Sequence, residues 1–366
     1  GPGTGKTTII KALVKGFQLG GLGRIILCAP TGRAAKRLTE ATEFEATTIH
    51  RLLMPVAGSD SYDFTKNEDD PLDIDVIIID EASMLIVRLF YSLMSANPPE
   101  AYVVIGAVLL PLTPFGDGLT LRDFLDRDMV PYTRLRHIFS KRSGNSIVDS
   151  AYAINRGEMP NLDTTSDEFT FISVNSLGDM MKAIVDVYKR EKEFVDDELD
   201  IQIISPMRRG KAGSTSISQY VQQSVNPPDS YKGEVRVNGI TFRVGDKVIQ
   251  VLNNYELEVF NGEIGVIYAI TRTDIYIRFI HKEVRLPIDE AHMIMPAYAI
   301  TVHKSQGSEY GVVIIPFVPR YGGMLQRNLL YTAVTRAKRK VIIVGTTSAV
   351  ERAVRTVNAD ERYTLF

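Results

Sequence analysis

Gly1-Pro2-Gly3-Thr4-Gly5-Lys6-Thr7-Thr8 opens the chain, and its reading decides the fold. The string is the latter part of a phosphate-binding loop of the form G-x-x-x-x-G-K-[ST]. Backbone N–H groups from Gly3 and Thr4 through Gly5 and Lys6 can cradle phosphate oxygens, with Lys6 reaching the β- and γ-phosphates. Thr7, with Thr8 beside it, can ligand Mg²⁺ through its hydroxyl, and a helix starting there points its positive end at the anion. The apolar spacing Ile9, Ile10, Leu13, Val14, Phe17 predicts that helix. The pattern's first glycine falls ahead of Gly1, so the chain is expected to be a fragment lacking the strand that feeds such a loop.

Outward from the loop, the first 145 residues alternate strand and helix. Arg24–Ala29, Val76–Ile79 and Ala101–Gly106 are short, continuous and rich in β-branched residues, as in a parallel sheet buried on both faces. Helical patterns at Gly32–Thr42 and Met84–Ser95 separate them. The result is a P-loop α/β domain. A polar stretch between Leu53 and Leu72 has room for a small hairpin.

A second region begins near Asn145, with a helix predicted over Ser146–Arg156 and a strand over Ile201–Ile204. From Tyr231 to Ile294 the texture becomes short β runs: Glu234–Val237, Lys247–Val251, Ile264–Ile270, Ile275–Ile280 and Glu283–Pro287. Punctuated by Gly239, Gly245, Gly262 and Gly265, they predict a small inserted barrel. The α/β texture then returns, with strands at Gly311–Pro316 and Lys340–Gly345 around a helix at Gln326–Thr335.

Composition narrows the class. The chain has 366 residues, 45% of them hydrophobic and 23% charged, as in ordinary globular proteins. A net charge of −2 gives no global basic field, so nucleic-acid contacts would come from local patches. The single cysteine, Cys28, excludes a disulfide framework and a cysteine-rich zinc site. Ending an apolar run, it reads as a buried strand residue. No apolar stretch approaches transmembrane length, and the chain is expected to be cytoplasmic, with no membrane partner.

Asp80-Glu81 follows the strand Val76–Ile79, the placement of a Walker B pair. Asp80 would hold Mg²⁺ and Glu81 would orient or deprotonate the attacking water. Acidic residues at a strand end can also merely begin a loop. Pro30-Thr31-Gly32-Arg33, with Lys36 and Arg37 following, suits a nucleic-acid phosphate as well as a nucleotide. Tyr298–Glu309 is a dense polar, basic turn between apolar segments, unlike core packing. Arg336 ends a helix, where it can serve as an arginine finger or simply meet the helix dipole.

In order along the chain stand GTGKTT, CAPTGRAAKRL, TTIHRLL, IIIDEASM, SPMRRGKAG, GDKVIQVLNNYELEVFNGEIGVI, AYAITVHKSQGSEY and LYTAVTRAK. This series resembles the RecD-like superfamily 1 (group B) DNA helicases over essentially the whole chain. The resemblance implies an ATP- and Mg²⁺-dependent motor moving 5′→3′ on single-stranded DNA, in repair or recombination, with single-stranded DNA and single/double-strand junctions as partners. It implies two RecA-like domains with parallel sheets, 1–145 and 146–230 with 295–366. A wedge hairpin at 54–71 and an SH3-like barrel at 231–294 would be inserts. Lys6, Thr7, Asp80 and Glu81 would flank ATP on one side and Arg336 on the other. Pro30, Thr31, Gly32, Arg33, Thr48, His50, Thr301, His303, Lys304, Ser305 and Gln306 would contact the DNA strand or couple it to ATP.

Two departures stand out. Where the family carries G-D-x-x-Q-L-P, this chain has Gly106-Ala107-Val108-Leu109-Leu110-Pro111-Leu112, and F-R-Q becomes Phe139-Ser140-Lys141. Ala107 and Ser140 thus replace two expected γ-phosphate sensors. They leave open an alternative, an ATP- and single-strand-binding protein with impaired hydrolysis.

Overall fold

Four runs of small and aliphatic residues make the first sheet: β1 (Ile25–Ala29), β2 (Ala46–Thr48), β3 (Val76–Ile79) and β4 (Tyr102–Ile105). In the computed structural model all pair in parallel, in the order β2-β1-β3-β4. The described residues are 5–56, 63–107, 130–133, 146–163, 166–254, 256–257, 259–280 and 282–357. They form two compact units, the first reaching residue 133 and the second spanning 146–357.

In the first unit every side chain of β3 is buried, as expected of a central parallel strand. β4 departs from the prediction: Tyr102 and Val103 are exposed, because β4 is the outer strand among the described residues. Helix α1 (Lys6–Leu19) buries Ile10 and Val14 against Leu27, Val76 and Ile78. Helix α2 (Gly32–Thr42) turns Ala34, Ala35 and Leu38 inward, and its N-terminus is capped by Thr31, whose hydroxyl accepts from the Ala34 amide at 3.3 Å. Thr48 does the same for the short α3 (Ile49–Leu53), accepting from Arg51 N at 3.1 Å.

The helix predicted to start at Met84 starts three residues later, as α4 (Val87–Ser95). A 3₁₀ turn over Ala82–Met84 intervenes, because Glu81 has a left-handed backbone (φ 53°, ψ 34°). Of the predicted hairpin at 54–71, Pro55 pairs antiparallel with Phe64, and the Val56 amide donates to Asp63 O at 3.0 Å. Residues 57–62 lie outside the described residues.

The second unit holds helix α5 (Ser146–Arg156), β5 (Phe169–Ser173), helix α6 (Leu177–Lys192), β6 (Ile201–Ser205) and helix α7 (Ser214–Val225). Then come β7 (Glu234–Val237), β8 (Ile240–Arg243), β9 (Lys247–Gln250), β10 (Ile264–Ile270), β11 (Asp274–Phe279), β12 (Glu283–Pro287) and β13 (Ile294–Pro296). The chain closes this unit with β14 (Ala299–Thr301), β15 (Tyr310–Phe317), α8 (Arg327–Val334), β16 (Ala337–Gly345) and α9 (Thr347–Arg355). A parallel sheet runs β14-β6-β15-β16-β5. β15 is buried along its full length.

The short β runs form a separate antiparallel sheet, β12-β11-β10-β9-β13, beside the hairpin β7-β8. Alternation decides which way its side chains point: in β12, Val284 and Leu286 are buried while Glu283 and Arg285 are exposed. The inward residues join Phe242, Val248, Ile267 and Ile277 in one core. This sheet runs on to Pro296, beyond the predicted barrel limit at Ile294.

A fully buried pair, Asp246-Lys247, fastens the barrel to the parallel sheet. The Lys247 ammonium donates to the carbonyls of Glu198 and Ile201, at the start of β6. Asp246 accepts from the Arg243 amide, from Gln222 and Asn226, and from the Tyr298 hydroxyl. Burial raises its pKa, and those hydrogen bonds oppose the rise.

At the far end of β16 the backbones pack without room for a side chain. A Cβ on Gly345 would lie 1.9 Å from the Phe317 carbonyl oxygen. Gly345→Ala is therefore expected to destabilise the second unit by about 1–3 kcal/mol, the cost of overpacking a filled interior. Thermal denaturation checks this; an unchanged midpoint would contradict the packing described.

Candidate nucleotide and DNA site

The carboxyl ends of the first sheet are brought level by its register. Ala29 pairs with Thr48, Cys28 with Ile79, and Ile79 with Ile105. The segments that follow, Pro30–Arg33, Thr48–His50, Asp80-Glu81 and Gly106-Ala107, therefore gather along one edge. In open α/β sheets that edge is where ligands bind.

Gly5 sits just before α1 with φ 78°, a left-handed conformation that glycine adopts without steric cost. It aims the first turn of α1, with Lys6, Thr7 and Thr8, back at the strand ends. Gly3 and Thr4 lie outside the described residues. Lys6 Nζ approaches Asp80 Oδ1 to 2.7 Å and Glu81 Oε1 to 3.6 Å. The closer approach is an ion pair without hydrogen-bond alignment: both atoms are buried, and neither has a hydrogen-bond partner among the described residues. A buried donor and acceptor left in this state favour a ligand that satisfies both. A phosphate suits the ammonium and a divalent cation suits the carboxylate. The site therefore fits a nucleotide with its metal ion, and Asp80 is the carboxylate placed to hold the metal.

Two backbone features keep this corner open. The left-handed turn at Glu81 costs about 1–2 kcal/mol for an L-residue and sets its carboxylate beside Lys6. Gly106 lies against Asp80; a Cβ there would come 3.1 Å from Asp80 Oδ1. Sequence reasoning missed Gly106 as a site residue, although a glycine directly after an apolar strand was a usable signal. Ala107 packs against the apolar cluster that includes Cys28 and Ile49. The remaining departures, at Val108–Leu112 and Phe139–Lys141, lie outside the described residues.

Cys28 is fully buried and its thiol is pushed up to about 12 by desolvation, as a strand residue rather than a nucleophile would be. His50 stacks edge-on to Phe64, with ring centroids 5.8 Å apart, and burial lowers its pKa. The hydroxyls of Thr31 and Thr48 are engaged as helix caps. Their segments reach the site edge, but these two oxygens already have structural duty.

In the second unit β6 and β14 end together, Thr301 opposite Ser205. The predicted basic turn follows as a 3₁₀ turn over His303–Ser305. Burial lowers the pKa of His303 and of Lys304, and Arg208 adds repulsion at Lys304. Gln306 is half-buried. Ser305 corrects an expectation: it is fully buried, its hydroxyl donating to Val302 O at 2.7 Å, so it holds the turn rather than facing a strand. Arg336 donates through Nε to Thr332 O at 3.1 Å and through Nη1 to Ser308 O at 3.3 Å. It thus satisfies one carbonyl in the last turn of α8 and one in the turn before β15, in keeping with the structural alternative noted for a helix-end arginine.

Three family profiles match: an AAA domain over residues 1–108, an ATP-dependent RecD-like DNA helicase SH3 domain over 217–279, and a UvrD-like helicase C-terminal domain over 296–344. The ATP-dependent RecD2 DNA helicase of Deinococcus radiodurans is 34% identical over 95% of this chain, which spans 46% of that protein's length. The RecBCD enzyme subunit RecD of Mycolicibacterium smegmatis is 28% identical over 97% of this chain and 69% of its own. Among solved structures, the Pif1 helicase from Bacteroides in complex with ADP-AlF3 and ssDNA superposes with a TM-score of 0.54 at 18% identity, covering 96% of this chain and 88% of that one. At that identity the likeness is one of fold. A RecD-type SH3 profile set between an AAA profile and a UvrD-type helicase profile, in a chain aligned to RecD proteins almost end to end, makes this chain similar to the RecD-like DNA helicases.

Proposed function

We propose that the chain carries the motor of an ATP-driven DNA helicase that translocates 5′→3′ on single-stranded DNA and opens single/double-strand junctions in repair or recombination. The observation that supports this most is the Lys6–Asp80–Glu81 cluster, with its unsatisfied buried atoms, at the carboxyl edge of a parallel sheet. A family member that merely bound nucleotide would not need Glu81 held in a strained turn beside the lysine.

Lys6 would neutralise phosphate charge, together with the amides that open α1. Asp80 and Thr7 would hold Mg²⁺, which when bound withdraws electron density from the phosphate oxygens. Glu81 would align a water for in-line attack and accept its proton. Arg336 is proposed as the residue that meets charge developing on the γ-phosphate, a role resting on the resemblance. The strand contacts would be sequence-independent, from Pro30–Arg33 and Thr48–His50 in one unit and Thr301, His303, Lys304 and Gln306 in the other. Exposed Arg208, Arg209 and Lys211 add local positive charge, so an isoelectric point near 6.3 is no obstacle.

Turnover of ATP with and without single-stranded DNA tests the reading. Stimulation by DNA is expected, with affinity for DNA falling as salt rises. Glu81→Gln should retain nucleotide binding and slow turnover by about 10²–10⁴-fold, the usual worth of a general base. Arg336→Ala should slow it by about 10³-fold or more if the arginine acts on the γ-phosphate; a loss of thermal stability with unchanged turnover would assign it to the α8 terminus alone. Duplexes with a 5′ tail should be unwound and those with a 3′ tail left intact; the reverse preference would overturn the polarity.

A further inference from the structure

β6 ends in Ser205, which is fully buried, and three segments meet there. Its carbonyl accepts from the Val302 amide at 3.0 Å and so carries the turn at 301–306. Its hydroxyl donates to Met207 O at 3.1 Å, at one end of the basic loop 207–213, and lies 3.3 Å from Ala212 O near the other end. The third segment is the 3₁₀ turn Pro319–Met324, between β15 and α8, which sends in Tyr321. That side chain is buried, with its ring centroid 6.3 Å from that of Phe317. Its hydroxyl donates to Ala212 O at 2.9 Å and stands 3.4 Å from Ser205 Oγ.

Burying the tyrosine oxygen costs desolvation that a phenylalanine ring would avoid, and burial pushes the phenol's pKa further up, which keeps it a neutral donor. Its use lies in the loop it reaches. That loop is stiff: a Cβ on Gly213 would fall 2.4 Å from the carbonyl oxygens of Arg208 and Arg209, and the Ser214 amide closes on Met207 O at 2.9 Å. It can therefore tilt only as one piece. Arg208 on the loop and Lys304 on the neighbouring turn border a groove with Met295 and Pro296 in its wall. Among the described residues neither cation forms an ion pair with a carboxylate. The Arg208 guanidinium donates instead to the Met295 thioether at 3.2 Å, a weak acceptor. Burial lowers the pKa of Lys304, and repulsion from Arg208 lowers it further. Like charges this close push the loop off the turn, and the tyrosine's bond to Ala212 opposes them from outside the loop.

We propose that Tyr321 is a positioning residue: its hydroxyl, bonded to Ala212 O, holds the basic loop against the 301–306 turn, so that Arg208 and Lys304 stand as a pair before any anion arrives. The proposal rests on the single-strand reading above for what the pair receives; the latch itself does not. An anion that meets both cations discharges a repulsion the fold has already overcome. Preorganisation of this kind lowers the ordering cost of binding. The bond involves no residue proposed at the nucleotide, so the effect falls on affinity for the strand and leaves the chemical step alone.

Tyr321→Phe removes the one oxygen and keeps the ring. Hydrogen exchange of the full chain, read by mass spectrometry without DNA, should show the amides of 207–213 exchanging about two- to tenfold faster, the worth of one hydrogen bond. In an Arg208→Gln background, where the repulsion is gone, that difference should shrink to less than about twofold, the non-additivity expected of coupled groups. With a thymidine oligonucleotide, Tyr321→Phe should raise the DNA concentration for half-maximal ATP turnover by about two- to tenfold and leave turnover at saturating DNA unchanged. Unchanged exchange, or an equal acceleration with and without the Arg208 charge, overturns the latch. Faster exchange with an unaltered DNA requirement, or with the loss falling on saturated turnover, overturns the positioning role. A wild-type chain that binds no DNA overturns the single-strand reading instead, and the exchange experiments then decide the latch alone.

Discussion

Parallel strands that stop at the same level set the conditions for everything else in the first unit. β1, β3 and β4 consist almost wholly of aliphatic residues, and the burial of β3 and of the end of β1 fixes both register and direction. Once Ile79 is locked beside Cys28 and Ile105, Asp80 can emerge only at the edge to which α1 returns. The polar atoms that emerge there cannot be absorbed by the core. Lys6 and Asp80 meet, 2.7 Å apart, because apolar packing leaves them nowhere else to go.

The second unit solves a different problem, how to keep a small antiparallel barrel attached to a parallel sheet. Apolar contact alone would let two such surfaces slide. The Asp246-Lys247 dipeptide prevents this with directed bonds in a dry interior. Buried charge that is fully hydrogen-bonded is costly to rearrange, because any shift leaves a charge unpaired. The barrel's position over β6 and β14 therefore also fixes the wall that Met295 and Pro296 present to Arg208 and Lys304.

Periodicity made much of this legible. The strands at Val76–Ile79 and Ile264–Ile270 and the helices at Gly32–Thr42 and Ser146–Arg156 emerge at the predicted bounds, since each carries an apolar pattern that a single backbone conformation can bury. α6 was not predicted, although Met180, Ile184, Val187 and Tyr188 follow a helical repeat. The delayed start of α4 was beyond sequence reasoning, because the left-handed turn at Glu81 arises from the packing around it rather than from any propensity of glutamate. Thr31, Thr48 and Ser305 show the limit at the site: their types suit a phosphate contact, and two became caps while the third went into the core.

The sequence by itself determined the α/β class, the barrel insert, and the placing of Lys6, Asp80 and Glu81 at the start of a helix and the end of a strand, because motif spacing and hydrophobic period are local properties. Tertiary structure alone decided which polar groups remain unsatisfied. Lys6 and Asp80 are residues 6 and 80, Arg208 and Met295 are residues 208 and 295, and no local pattern links either pair. Whether a lysine meets a carboxylate, or an arginine a thioether, depends on how sheets and turns align, and that is settled only when the chain has closed on itself.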